Sequence, residues 1–367
     1  MRILYIVNDI NFFHSHRLPL ALKAIDKGWD VTVASNNIIN IDKRIEQIKI
    51  PIDRSSLSII KSFILFFNVV KVIKKVKPTI AHNVTLKPII IGSIAAFFFP
   101  KLTVINAVSG LGVLFTGNKN SLARRVVQFL FRIIVKRKNT GFIFQNNIDL
   151  KVFQNNGLRR NFTIIKGSGV DGNIYKYQKP ANSSKRIILF TGRILKDKGV
   201  LDLIKAFKLL PENIKSQTVL RFLGKEDLEN PAHITSEYMK SLLHEDSIQW
   251  EGYSDNIKKE LEICNIYCLP SYREGLPKSI VEAMAIGRPI ITTDAPGCDD
   301  CVIENYNGYK INPGDCKSLS MALLKLLNDQ ELCLIMGENS RQFFEKDFTI
   351  EKVINETFYF YDQIQDL

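Results

Sequence analysis

The segment Ser271-Tyr272-Arg273-Glu274-Gly275-Leu276-Pro277-Lys278-Ser279-Ile280-Val281-Glu282-Ala283 reads as a strand end, a tight turn and the start of a helix. Pro277 suits the first helical position, where its missing N–H would have had no intrahelical partner. Gly275, just ahead of it, lets the backbone come close to a bulky group. A helix start offers unpaired N–H groups and a partial positive charge, which together favour an anion such as phosphate. Glu274 stands at the mouth of the turn, and Glu282 follows about two helical turns in, at ~3.6 residues per turn. Two carboxylates beside an anion-binding helix end suit a phosphate flanked by hydroxyls on both sides, as in a nucleotide sugar.

Around this segment, short apolar strands alternate with helices, the pattern of parallel βαβ units with helices on both faces. Strands are expected at Arg186–Phe190, Val219–Leu223, Ser247–Trp250, Ile266–Leu269 and Pro289–Thr293. Helices are expected at Val200–Leu209, Asp315–Asn328, Gln330–Lys346 and Ile350–Gln365. A separate series precedes it, with strands at Arg2–Asn8, Val31–Ser35, Thr79–His82, Thr103–Asn106 and Phe162–Lys166, and a helix from Arg17 to Lys27. The glycine-rich turn Gly167-Ser168-Gly169-Val170-Asp171-Gly172 separates the two series, and Pro180–Lys185 reads as a surface loop just beyond it. Two doubly wound domains place ligands at the carboxyl ends of their strands.

The stretch Glu-Gly-Leu-Pro-Lys-Ser-(x)2-Glu-Ala-Met-Ala-(x)-Gly-Arg-Pro-Ile-Ile from Glu274 resembles the donor-site signature of the family 4 retaining glycosyltransferases. Thr191-Gly192-Arg193-Ile194-Leu195-Lys196-Asp197-Lys198-Gly199 resembles that family's Gly-Arg-(x)4-Lys-Gly motif. The resemblance implies a GT-B fold: two Rossmann-like domains facing a cleft. The first spans residues 1–168 and takes the acceptor; the second spans 169–349 and takes the nucleotide sugar. A final helix at 350–367 crosses back to the first.

It also implies that Arg193 and Lys198 bind the donor diphosphate, that Glu274 contacts the transferred sugar and that Glu282 holds the ribose hydroxyls. Gly192, Gly275, Leu276 and Pro277 shape the donor site. Fixed cations at a diphosphate leaving group stabilise the charge that accumulates as the glycosidic bond breaks. No Asp-x-Asp lies in a plausible loop, and the family is metal-independent, so no metal or cofactor is expected. In the first domain, Asn8–Arg17 follows the first strand, where acceptor and phosphate contacts are expected, yet it lacks the Gly-rich turn of many relatives. His16 and His82 are candidate acceptor-side residues, and each reads equally well as a hydrogen-bonded packing residue. In Asn106-Ala107-Val108-Ser109-Gly110-Leu111-Gly112, Ser109 stands where many relatives carry His near the sugar. This variant resembles one branch of the family.

Charge divides the chain as the strands do. Of the net +13, residues 1–170 carry +19, from 26 Lys and Arg against 7 Asp and Glu, and the remainder carries −6. A basic first half points to an anionic partner. Lys119–Lys138 and Ser58–Lys77 mix basic with apolar residues as helices lying in the headgroup plane of an anionic bilayer do. No nucleic-acid-binding signature is present. The longest uncharged apolar run, Pro88–Pro100, falls short of the ~20 residues that span a bilayer. Met1–Val7 is too brief for a signal-peptide core. Cys264/Cys268 and Cys298/Cys301 are poorly spaced for zinc and read as reduced or buried thiols.

The combined expectation is a metal-independent retaining glycosyltransferase moving a hexose or N-acetylhexosamine from a UDP-sugar to a polyprenyl-diphosphate-linked or surface-glycan acceptor. It would act in the cytoplasm, peripheral on the inner face of the membrane. The rival readings are a nucleotide-sugar 2-epimerase or hydrolase of the same fold, and a non-catalytic glycan- or membrane-binding partner of a polysaccharide assembly complex.

Overall fold

A computed structural model describes all residues except 54–57, 112–121, 181–184, 229, 244–246 and 367. Gly112, most of the Pro180–Lys185 loop and the start of the Lys119–Lys138 stretch therefore lie outside the described residues. The chain forms two compact units, Met1–Ser168 with Glu351–Leu367, and Gly169–Ile350.

The first unit runs β1 (Arg2–Val7), α1 (Ile10–His16), α2 (Leu18–Asp26), β2 (Asp30–Ser35), β3 (Ile45–Lys49), α3 (Ile59–Val76), β4 (Ile80–Val84), α4 (Leu86–Ala95), β5 (Thr103–Val108), α5 (Leu122–Ile134), β6 (Thr140–Phe144), α6 (Asn147–Gln154) and β7 (Phe162–Ile164). Its strands form a parallel sheet in the order β3-β2-β1-β4-β5-β6-β7. Alternation along β1 sends Leu4 and Ile6 into a core with Leu65, Val69 and Ile73 of α3, and Ile3, Tyr5 and Val7 into one with α1 and α2. The helix expected from Arg17 to Lys27 is α2, which starts at Leu18 with Pro19 in its first turn; the turn expected before it instead holds a further short helix, α1, and the two are separated at Arg17 (φ −127°, ψ −15°).

The second unit runs β8 (Arg186–Thr191), α7 (Val200–Lys208), α8 (Glu212–Lys215), β9 (Thr218–Leu223), α9 (Ser236–Ser241), β10 (Ile248–Trp250), α10 (Ile257–Ile263), β11 (Ile266–Leu269), α11 (Lys278–Ile286), β12 (Ile290–Thr293), β13 (Gly308–Ile311), α12 (Cys316–Asn328) and α13 (Gln330–Asp347). The sheet is again parallel, ordered β10-β9-β8-β11-β12-β13. Both orders reverse direction after a unit's first strand, between β1 and β4 and between β8 and β11. Such switch points open a crevice at the carboxyl ends of the strands.

The last helix, α14 (Ile350–Gln365), belongs for almost all its length to the first unit. Its Val353, Phe358, Phe360, Tyr361 and Ile364 join the core of Ile3, Tyr5 and Val33. Gly141 in β6 makes room for it: a Cβ there would come within 2.8 Å of both Phe360 and Ile364. Among the described residues no helix is long and apolar enough to cross a membrane.

Candidate functional site

The second switch point gathers the residues expected to form a donor site. β8 ends at Thr191, whose hydroxyl lies 2.9 Å from that of Tyr267 on the neighbouring β11. Gly192 then turns the chain out of the sheet, and a single tight turn, Lys196–Lys198, leads into α7. Gly199 closes that turn at φ +73°, and a Cβ there would strike the carbonyl of Pro270 at the exit of β11. This close approach is how two loops distant in sequence meet. Tyr272 N–H donates to the Asp197 carbonyl at 2.8 Å, and Ser271 Oγ lies 3.1 Å from the same oxygen.

As a result Lys198 Nζ forms an ion pair with Glu274 Oε1, with side chains only 18% and 14% exposed. Ser271 Oγ donates to that same carboxylate oxygen at 2.8 Å. Glu274 N–H donates to Pro296 O at 2.9 Å, and Gly297 packs so closely that a Cβ would meet the Glu274 and Gly275 carbonyls. The turn that carries Glu274, at the exit of β11, is therefore held by the loops that follow β8 and β12. Arg193 pairs with Asp227, in the loop after β9. The Asp197 carboxyl is pushed up by burial and by Glu274, against the pull of Lys198 and Arg193, and its Oδ1 is buried without a hydrogen-bond partner.

Pro277 does not take the first helical position. It caps α11 from outside with ψ 110°, and Lys278 begins the helix. The reason is local: Leu276 is buried ahead of it and Pro277 itself is extended, so the helix starts one residue late. No side chain caps α11. Glu282 lies further along the same helix, 3.4 Å from Lys278 Nζ. Burial pushes its carboxyl up, opposed by Lys278 and by a hydrogen bond from Tyr175. Ser271, Asp197, Asp227 and Tyr175 were not singled out in the sequence, since each acquires its role from a contact made far along the chain.

At the first switch point the outcome differs. His82 takes the packing role and does not present itself to an acceptor. It is 1% exposed on β4, its Nδ1 bonds the Tyr361 hydroxyl of α14, and its ring lies 5.1 Å from Tyr5. Burial, and then the nearby Arg17 charge, hold its pKa well below 6.5. His16 is half-buried, stacked on Phe12 at 4.1 Å and bonded through Nδ1 to Ser15 Oγ. Ser109, at the end of β5, accepts a hydrogen bond of 3.3 Å from Arg17 Nη2.

The six cysteines form no disulfide, and burial pushes the Cys264 and Cys298 thiols up to about 12. No cluster of three or more metal-ligating side chains occurs among the described residues.

Two family models match the chain: "Glycosyl transferases group 1" over residues 173–343 and "Glycosyl transferase 4-like" over residues 2–146. The N,N'-diacetylbacillosaminyl-diphospho-undecaprenol alpha-1,3-N-acetylgalactosaminyltransferase of Campylobacter jejuni is 30% identical over 76% of this chain and 75% of its own. The Escherichia coli UDP-Gal:alpha-D-GlcNAc-diphosphoundecaprenol alpha-1,3-galactosyltransferase is 25% identical over 89% of this chain and 84% of its own. Among solved structures, sucrose-phosphate synthase from Thermosynechococcus elongatus superposes with a TM-score of 0.82 at 18% identity, covering 99% of each chain. Two parallel Rossmann-like units, the Glu274–Glu282 and Gly192–Gly199 segments and these matches lead to one conclusion: the chain belongs to the family 4 glycosyltransferases of the GT-B fold.

Proposed function

We propose that this glycosyltransferase moves a hexose or N-acetylhexosamine, with retention and without a metal, from a UDP-sugar to a polyprenyl-diphosphate-linked glycan. The observation that carries the reading is the Lys198–Glu274 pair, with the Arg193 loop, at the switch point of the second sheet. Arg193 offers a bidentate fork and Lys198 a point charge, which suit a diphosphate whose charge grows as the bond to the sugar breaks. Glu274 Oε1 already takes Lys198 and Ser271, which leaves Oε2 to accept from the sugar hydroxyls. The half-buried Glu282 accepts from the ribose hydroxyls. The leaving phosphate takes the acceptor's proton, so the new bond forms on the face the nucleotide vacates.

The names of the two relatives support a lipid-diphosphate acceptor, and one names a UDP-sugar. The first unit supports a membrane-side setting. Ile59, Ile60, Phe63 and Phe67 of α3 and Leu122, Val126 and Phe129 of α5 are exposed, with Lys61, Lys71, Arg125 and Arg132 among them. Apolar tips flanked by cations suit an anionic bilayer surface on its cytoplasmic side.

The test is a panel of UDP-, GDP- and ADP-sugars offered with undecaprenyl-diphosphate glycan, with and without chelator, and with products read by NMR. An α-linked product from a UDP-sugar, unaffected by chelator and lost in Arg193→Ala, is expected. Donor consumption without acceptor would instead mark an epimerase or hydrolase. No turnover at all, with Glu274→Ala behaving as wild type, would mark a binding partner. Co-sedimentation with phosphatidylglycerol vesicles, weaker with phosphatidylcholine and in 0.5 M salt, tests the membrane contact.

A further inference from the structure

Arg17 is a buried charge that the proposed donor site does not explain. It sits at the break between α1 and α2, beside the end of β1, and is 6% exposed. A buried guanidinium needs an acid or a full set of acceptors, because its desolvation is otherwise uncompensated. Arg17 has neither among the described residues. Nη1 donates to its neighbour's carbonyl, His16 O, at 3.2 Å, and Nη2 donates to Ser109 Oγ at 3.3 Å. Nε is buried without a partner. The other groups around it, Tyr5, Tyr361 and His82, are neutral hydroxyls and an imidazole held neutral by burial.

The surroundings repeat the pattern. Val7, Val84 and Ala107 stand in register across β1, β4 and β5, so Asn8, Thr85 and Val108-Ser109 follow one another along the carboxyl edge of the sheet. Asn8 Oδ1 and Thr85 Oγ1 are both buried without hydrogen-bond partners. Thr85 holds a strained φ of +72° at the start of the ten-residue α4, yet its hydroxyl caps none of that helix's amides. Native proteins rarely leave buried polar atoms unpaired, and strain of this kind persists where the surroundings impose it. Here two such atoms share one strand edge, at the switch point where ligands bind in this class of sheet, and the unpaired Arg17 Nε belongs to a side chain bonded to Ser109 on that edge. Asn8, Thr85 and Ser109 are each only half-buried, so the edge can be approached past them.

We infer that Arg17, with Ser109, Thr85 and Asn8, forms an anion subsite in the first unit that takes a phosphate or diphosphate ester. Where many relatives have a Gly-rich turn, positive charge is supplied here by a side chain hydrogen-bonded to Ser109. The phosphate takes the Arg17 fork and the Thr85 hydroxyl, and Asn8 Oδ1 is left to accept from a neighbouring hydroxyl. The ester comes from the lipid-linked acceptor or from the nucleotide donor. The inference rests on the transferase reading for that choice of ligand, but not for the existence of the subsite.

The experiment uses the full chain with farnesyl diphosphate and UDP as separate probes, titrated calorimetrically into wild type, Arg17→Met, Ser109→Asp and Arg193→Ala. Loss of one charge-assisted contact is expected to weaken farnesyl diphosphate about tenfold or more in Arg17→Met. Ser109→Asp gives Arg17 the carboxylate it lacks, so its melting temperature is expected to rise while farnesyl diphosphate binding falls. A merely structural arginine would give the first effect without the second. If UDP is the probe weakened in both variants, the subsite serves the donor phosphate. If both probes bind Arg17→Met and Ser109→Asp as they bind wild type, the subsite does not exist. Should Arg17→Met fail to fold, Ser109→Asp decides alone. Arg193→Ala reports the donor reading separately: UDP retained there sinks that reading and leaves the first-unit result standing.

Discussion

The proposed donor site rests on Lys198 and Glu274, and their pairing can be measured without any substrate. Two unit charges in contact at an effective dielectric near 20 attract by ~4 kcal/mol, from which desolvation subtracts a large part. With both side chains more than four-fifths buried, Lys198→Met leaves Glu274 supported by Ser271 alone and is expected to cost about 3 kcal/mol. Glu274→Gln, which keeps a hydrogen-bonding group beside Lys198, is expected to cost about 2 kcal/mol, and the double variant little more than the larger single change, a coupling of about 2 kcal/mol. The assay is urea unfolding followed by tryptophan fluorescence. Of the chain's 2 tryptophans, Trp250 lies in β10 of the second unit and Trp29 packs on Phe358 and Tyr361 in the first. A Trp29→Phe background therefore reports on the second unit alone, avoiding the ambiguity of a two-unit transition. A coupling below ~0.5 kcal/mol, the level of an exposed surface pair, would refute the claim that this pair is held in a low-dielectric pocket.

Other expectations follow from equally local features. Gly199→Ala forces a Cβ into the Pro270 carbonyl at φ +73°, so a loss of ~2 kcal/mol or more by urea unfolding should accompany weakened UDP binding. Arg288, wholly buried, donates to Leu261 O at 2.7 Å and Glu262 O at 3.1 Å; Arg288→Met should cost about 2–3 kcal/mol without changing UDP affinity in the protein that remains folded. His82 is depressed below 6.5 in the folded chain, so below that value the unfolded chain binds a proton that the folded one refuses. The stability His82 confers is full above pH 6.5 and falls with pH toward its depressed folded value, by up to ~1.4 kcal/mol per unit; His82→Phe should flatten that slope in pH-resolved melting curves. Glu282 is raised by burial, so its charge opposes folding once pH exceeds the unfolded value. Glu282→Gln should therefore raise the melting temperature at neutral pH while lowering UDP affinity.

Much of the architecture is legible residue by residue. The buried parallel strands β1, β5, β8 and β11 are continuous apolar runs bounded by turns, and such runs declare themselves. Three strands escape such a reading for distinct reasons. β3, Ile-Glu-Gln-Ile-Lys, is an edge strand with polar residues at its centre, and β13 is an edge strand of four residues beginning with glycine. β6 is fully buried, but Gly141 interrupts its pattern, and the reason for that glycine lies more than 200 residues away, where α14 packs upon it. The short helix α1, Ile10–His16, likewise escapes a reading of composition, because it is only seven residues long and ends where α2 begins.

The chemistry divides along the same line. Glu274, Pro277 and Glu282 share one turn and one helix, and Gly192, Arg193 and Lys198 share one loop. Their spacing is a property of the local chain, and spacing is what a sequence displays. The partners are another matter. Lys198 meets Glu274 across 76 positions, Arg17 meets Ser109 across 92, and His82 meets Tyr361 across 279. Those meetings depend on β8 lying beside β11, on β4 lying between β1 and β5, and on the last helix packing on the first unit. Strand order and helix docking are set by how whole apolar faces are buried, a sum over many residues that no single motif carries. The residues proposed to handle a nucleotide sugar are thus written in the chain, while whether each stands paired, buried or left wanting a ligand is decided only when the sheets assemble.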